Sequence, residues 1–310
     1  MTTTRQNRGA AIAAVLAFAA LWGAAVYWLY AANNEDWSTG VFVMAIFGVA
    51  LSGLTWLLTL GAKAPAIEVK RPALESGALL AYLAVYAVGF LGFGMSAARD
   101  VFPEGPQEEL LVMALKLMAH IVLPAALLLL LGARIAPLFF TRTRAFTFWF
   151  TLIVLGVVFL GLLSVISPSL QNIAATNATP SLLAWVAPVS FVWVTIEAGL
   201  NEEFLFRAVL QTRLSAWFRS PWAGVIVTSL LFGLAHAPGL YLRGGLDVDG
   251  SSPDLLQVIA YTIAVLAPMG LLFGLIYART KSLLLVVLLH GLVDVLPNMA
   301  DFIKLWTPHE

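Results

Sequence analysis

Cysteine does not occur among the 310 residues. Its absence removes disulfides, thiolate metal ligands and a thiol nucleophile together, while leaving the compartment open. Charge is almost as scarce. Charged residues make up 11% of the chain and hydrophobic residues 61%, against roughly 25% and about 45–50% in soluble domains. That balance excludes an ordinary soluble domain. No basic cluster is large enough to hold nucleic acid, and the apolar stretches lack the alternation of a transmembrane β-barrel.

What is there instead is a series of apolar runs near the length of about 20 residues that a helix needs to cross a bilayer. Lipid offers no water to satisfy an open backbone, so such runs are read as helices. The spans fall at about 9–32, 40–62, 73–97, 108–133, 146–167, 181–210, 222–241, 254–278 and 282–300. The predicted fold is all-α, a polytopic transmembrane helical bundle of nine spans. It has eight if the first run, which follows Arg5 and Arg8, is a secretory signal; that run exceeds the about 7–15 residues of a signal core and is read as a retained anchor.

Lysine and arginine lie unevenly along the loops. With the N terminus in the cytoplasm, that side holds Arg5, Arg8, Lys63, Lys70, Arg71, Arg134, Arg142, Arg144, Arg213, Arg219, Arg279 and Lys281, and the far side only Arg99, Arg243 and Lys304. Cytoplasmic loops carry the excess of basic residues, so a cytoplasmic N terminus is predicted. The far side is acidic, with Glu35, Asp36, Asp100, Glu104, Glu108, Glu109, Asp247, Asp249 and Asp254.

Ionisable groups inside a bilayer are costly and by default mark function. Outside the loops stand Lys116, His120, Glu197, Glu202, Glu203, Arg207, His236, His290 and Asp294, most of them in the C-terminal half. The chain therefore divides into accessory helices over 1–145, a working core over 146–300 and a short tail over 301–310. The midpoint of Glu203 and His236 falls at Arg219-Ser220-Pro221, so an antiparallel hairpin sets both side chains at one depth. The distance of His290 from Lys281-Ser282 brings it to the same level if the hairpin tip projects about 10 Å. Arg213 and Arg219 are then expected at the interface, with the polar groups on the cytoplasmic side of the midplane. Glu203 and Arg207, and likewise His290 and Asp294, are four apart and share a face. Adjacent Glu202 and Glu203 are about 100° apart, so one can face a cavity while the other pairs with Arg207. Ala198 and Gly199 permit a close neighbour, and Ala237-Pro238-Gly239 is expected to end its helix within the membrane. Lys116, His120 and Glu197 are read as a structural network.

Three of these stretches carry a resemblance. Glu202-Glu203-Phe204-Leu205-Phe206-Arg207 fits E-E-x-x-x-R, Phe232 to His236 fits F-x-x-x-H, and His290 to Asp294 fits H-x-x-x-N/D. In that order on successive spans, the region of about 185–298 resembles the CPBP (CAAX protease and bacteriocin-processing, or Abi) intramembrane proteases, which include the Rce1-type prenyl-protein endopeptidases. Rce1-type members carry Asn at the last position, where this chain has Asp294. The resemblance implies an intramembrane peptidase acting on a membrane-embedded or lipid-anchored peptide or protein.

Peptide hydrolysis needs an activated water and a group to hold the oxyanion. Glu202 is assigned as the base, assisted by His236, with His290 and Asp294 as the oxyanion or positioning pair; Glu203 and Arg207 support them. The cavity is expected on the cytoplasmic side. The same Glu202, His236, His290 and Asp294 are also a plausible site for a divalent metal such as zinc, and the family has been described both ways; the metal-free version is preferred. Other intramembrane protease patterns are missing. Neither His236 nor His290 is followed by Glu, Gly94-Met95-Ser96-Ala97 lacks the second glycine of a serine motif, and Asp294 does not follow Gly-x-Gly. A peptide-binding scaffold or immunity protein on the same fold is the alternative, and an ion-coupled transporter a weaker one, since no inverted repeat is visible. The Ala- and Leu-rich chain with short loops is read as bacterial, in the plasma membrane.

Overall fold

The computed structural model describes residues 7–62, 64–65, 67–139, 143–245 and 248–307. Arg5, Lys63, Arg142 and Asp247 of the charge count, and the last three residues of the tail, lie outside them. Among the described residues nine helices are long and apolar enough to cross a membrane: α1 (Arg8–Ala31), α2 (Asp36–Leu58), α3 (Pro72–Arg99), α4 (Pro106–Leu130), α5 (Ala145–Ile166), α6 (Pro180–Trp217), α7 (Pro221–Arg243), α8 (Leu255–Thr280) and α9 (Leu283–Trp306). The protein is a multi-pass, all-α membrane bundle.

Sequence punctuates these helices in a regular way. Pro72, Pro106, Pro180 and Pro221 each open a helix, where the missing N–H costs nothing. The α6–α7 and α8–α9 turns are built alike. Arg219 and Lys281 adopt left-handed φ of 53° and 51°, and the serine that follows caps the next helix, Ser220 Oγ accepting from Ala223 N–H and Ser282 Oγ from Leu285 N–H. Turns this short force antiparallel neighbours. Lys281 also lies over the Tyr277 ring, 4.8 Å from its centroid, and burial pushes its ammonium down from 10.5 to about 8. Between those values the unfolded chain binds the proton more tightly, so stability is expected to rise with pH from about 8 to 10.5. Lys281→Met should be more stable than the wild type at pH 7 and lose that rise, as read by thermal unfolding in detergent.

The centre of the bundle is α8, 78% of whose central stretch is buried against 11% for α1. A Cβ added to Gly233 of α7 would lie 2.4 Å from the Thr262 carbonyl of α8, so only glycine lets these two backbones approach. α6 and α9 meet in the same way. A Cβ on Gly199 would stand 2.8 Å from the Val287 carbonyl, and one on Gly291 would stand 2.0 Å from Thr195 Oγ1. This close contact, of the small-residue kind common in membranes, sets Glu203 beside His290. Gly199→Val is expected to cost about 1–3 kcal/mol by overpacking, measurable as a lower midpoint of denaturation.

The two ends of the bundle differ in charge, and cross-links gather each. At the basic end Asn7 N–H donates to the Arg219 carbonyl (2.9 Å), Arg279 to the Thr59 carbonyl (2.7 Å) and Thr143 to the Thr280 carbonyl (2.7 Å). At the acidic end Arg99 pairs with Glu108 (2.7 Å) and Glu109 (2.8 Å), and Arg243 donates to the Leu91 carbonyl (2.7 Å).

Three expectations are corrected. Arg213 does not stand at an interface: α6 runs on to Trp217, and Arg213 is buried within it, paired with Glu75 of α3 at 3.3 Å. Helix α7 does not stop at Pro238 but continues to Arg243, since a transmembrane helix tolerates proline where neighbours resatisfy its backbone. The 301–310 tail is helical as far as Trp306, as part of α9.

Candidate active site

The two glutamates occupy a single α-helical turn, Asn201–Glu203, between wider π-type stretches at Thr195–Leu200 and Phe204–Gln211. Such irregular turns are frequent at functional sites. Their side chains diverge. Glu203 is fully buried; one oxygen accepts from Arg207 Nε (3.0 Å) and the other from His290 Nδ1 (2.8 Å). The Arg207 guanidinium lies 4.8 Å from the centroid of the Phe232 ring, and its two terminal nitrogens meet no acceptor among the described residues.

Glu202 turns the other way, into a cavity, and stands between the two imidazoles. Its Oε1 is 3.9 Å from His236 Nε2 and its Oε2 3.8 Å from His290 Nε2. The far nitrogen of each ring is fixed. His236 Nδ1–H donates to the Phe232 carbonyl at 2.8 Å; a carbonyl only accepts, so a neutral His236 presents its Nε2 lone pair to Glu202. His290 is bounded by Glu203 at Nδ1 and by Asp294 at Nε2, 3.3 Å away, and its ring stacks on Phe273 with centroids 4.8 Å apart. Arg207, Glu203, His290 and Asp294 therefore form one connected chain, with Glu202 facing it and His236 opposite.

These donors do not fit a metal ion as they stand. Ligands to one zinc lie about 2.0–2.2 Å from it, and among the described residues no three His, Asp or Glu side chains converge closely enough to hold one.

The cavity measures about 300 Å³ and is lined by Glu202, His236, Phe206 and Ala235, by Tyr86, Lys116, His120 and Glu197, and by Arg99, Gly239, Arg243, Gly244 and Val248. Six of its sixteen lining residues come from α3 and α4. Lys116 pairs with Glu197; His120 Nδ1–H donates to the Lys116 carbonyl (2.8 Å), and the Tyr86 hydroxyl donates to His120 Nε2 (2.5 Å). Sequence reasoning found the network of Lys116, His120 and Glu197 but not that it shares a cavity with Glu202, and it missed Tyr86, which no charge singles out. The lining runs to Arg99, Arg243 and Val248 at the acidic end and includes no residue of the basic turns.

Residues 183–296 match the family described as Type II CAAX prenyl endopeptidase Rce1-like. Comparison with curated proteins and with solved structures found no match. The matched stretch spans α6 from residue 183, α7, α8 and α9 as far as residue 296. It contains Glu202, Glu203, Arg207, His236, His290 and Asp294, and over those residues the chain is similar to the Rce1-like family of CAAX-type intramembrane endopeptidases.

Proposed function

We propose that the protein hydrolyses peptide bonds of membrane-associated peptides or proteins with a water activated by Glu202 and His236. The observation that carries this reading is the placement of Glu202 between two imidazoles whose other nitrogens are already committed, His236 to the Phe232 carbonyl and His290 to Glu203. The 3.9 Å from Glu202 to His236 Nε2 is too long for a direct hydrogen bond and suits a water that donates one proton to each acceptor.

The water oxygen attacks the scissile carbonyl carbon as Glu202 takes its proton. The carbonyl π pair moves onto oxygen, and an Nε2–H of His290, steadied by Asp294, donates to that oxyanion. Protonated Glu202 then returns the proton to the leaving nitrogen as the C–N bond breaks, giving a carboxylic acid and an amine, which exchange a proton to become carboxylate and ammonium, and restoring the starting Glu202 carboxylate. Glu203 and Arg207 hold His290 and take no proton themselves. A helical substrate hides its carbonyls, so the scissile segment enters unwound.

The direct test is mass spectrometry of newly formed protein termini in cells expressing wild type or Glu202→Gln at equal levels. Termini specific to wild type support the reading and name the substrate; identical termini overturn it. The metal-free version carries its own expectation. Purified enzyme should keep its rate in excess chelator, and metal analysis should find well under one zinc per chain; a loss of activity in chelator that zinc restores would move Glu202, His236, His290 and Asp294 to ligand roles.

A further inference from the structure

The cavity around Glu202 and His236 is a well whose depth follows from unequal helix lengths. His236 lies seven residues before Arg243, where α7 ends, about 10 Å along the axis. Across the cavity Leu91 of α3 accepts from Arg243 Nε (2.7 Å), and α3 continues eight residues past it to Arg99, which also lines the cavity, about 12 Å. The neighbour thus outreaches α7 by about 12 Å. The lining residues Arg243, Gly244 and Val248 follow that early stop, and Arg99 stands across from them.

Toward the other end the route from Glu202 is filled. Phe204, Phe206, Arg207, Gln211 and Arg213 are all buried, Gln211 donates to the Gly274 carbonyl (2.9 Å), and the Arg213–Glu75 pair ties α6 to α3 beyond them. Charge then says which end is which. Arg144, Arg219, Arg279 and Lys281 belong to the filled end, whereas Asp100, Glu104, Asp249 and Asp254 belong to the open one. Basic residues stay in the cytoplasm.

From these two observations together, we infer that the well opens on the exocytoplasmic face and takes peptide segments exposed at the outer leaflet after translocation, rather than cytoplasmic tails. That the well takes peptides rests on the proteolytic reading; the direction of the opening does not.

The natural lack of cysteine makes the test clean. Gly245→Cys is exposed next to the lining residue Gly244, where an added Cβ meets no atom within 4 Å, and Arg144→Cys is exposed at the opposite end. Each is treated with a membrane-impermeant maleimide in intact cells and in inverted vesicles, with detergent-denatured protein as the full-labelling reference. The expected result is at least tenfold more labelling of Gly245→Cys in intact cells than of Arg144→Cys, and the reverse in vesicles. Gly245→Cys labelled only in vesicles, or from neither side though reactive when denatured, overturns the proposal. The termini experiment stands apart from this one. Wild-type-specific termini with a cytoplasmic Gly245 would sink the exocytoplasmic opening alone, and an outward Gly245 with no Glu202-dependent termini would sink the protease alone.

Discussion

Glu202→Gln is expected to lower the proteolytic rate by about 10²–10⁴-fold, the usual worth of a positioned general base, while leaving the fold intact. Glutamine keeps the size and shape of the side chain, and among the described residues Glu202 has no direct side-chain hydrogen bond to lose: the two imidazole nitrogens beside it are 3.8 and 3.9 Å away. It lines the cavity rather than the core, so the stability change should stay within about 0.5 kcal/mol. His236→Gln should lose a similar factor, because both groups accept hydrogen bonds from the same water. Residues acting on one step are non-additive, so the double variant should fall little below the worse single one. A double variant that loses the product of the two factors would mean that Glu202 and His236 act on separate steps. Full activity in Glu202→Gln would remove the base altogether.

The parts of this arrangement that were legible from sequence are those governed by composition and by spacing along one helix. Apolar runs set all nine spans, since a bilayer leaves the backbone no other solution. The divergence of Glu202 from Glu203 followed from a rotation of about 100° per residue, and the small Gly199 marked the face that α9 meets. Interactions between distant segments were not legible. The Glu75–Arg213 pair joins positions 138 apart, and nothing local distinguishes either residue from an interfacial charge. Tyr86 enters the site only because α3 packs against α7. The proline at 238 reads locally as a stop, yet helix continuation there is decided by packing. The direction of the cavity depends on α7 ending before its neighbours, a comparison between helices that no single pattern contains.

The largest structural effect is expected at Arg207. The Arg207–Glu203 pair is fully buried, and breaking one partner of such a pair leaves an uncompensated charge that costs about 3–5 kcal/mol. Arg207→Met should therefore sharply lower the denaturation midpoint in detergent and the amount of protein recovered from membranes. Arginine itself is far from fully satisfied here. Only its Nε reaches Glu203, at 3.0 Å, and its terminal nitrogens have no acceptor among the described residues, so the face of Phe232 supplies the remaining stabilisation. A buried pair in that state is weak evidence for net stability, and replacing both partners with apolar groups of similar volume is often neutral or better. The double variant Glu203→Leu with Arg207→Met should accordingly recover most of the midpoint lost by Arg207→Met. It should not recover activity, because His290 Nδ1 would lose the carboxylate 2.8 Å away that orients it. Stability and catalysis are thus expected to separate in one variant. If the double variant stays as unstable as Arg207→Met, the pair contributes shape that leucine and methionine cannot supply; if it regains activity, Glu203 does not hold His290 for the reaction.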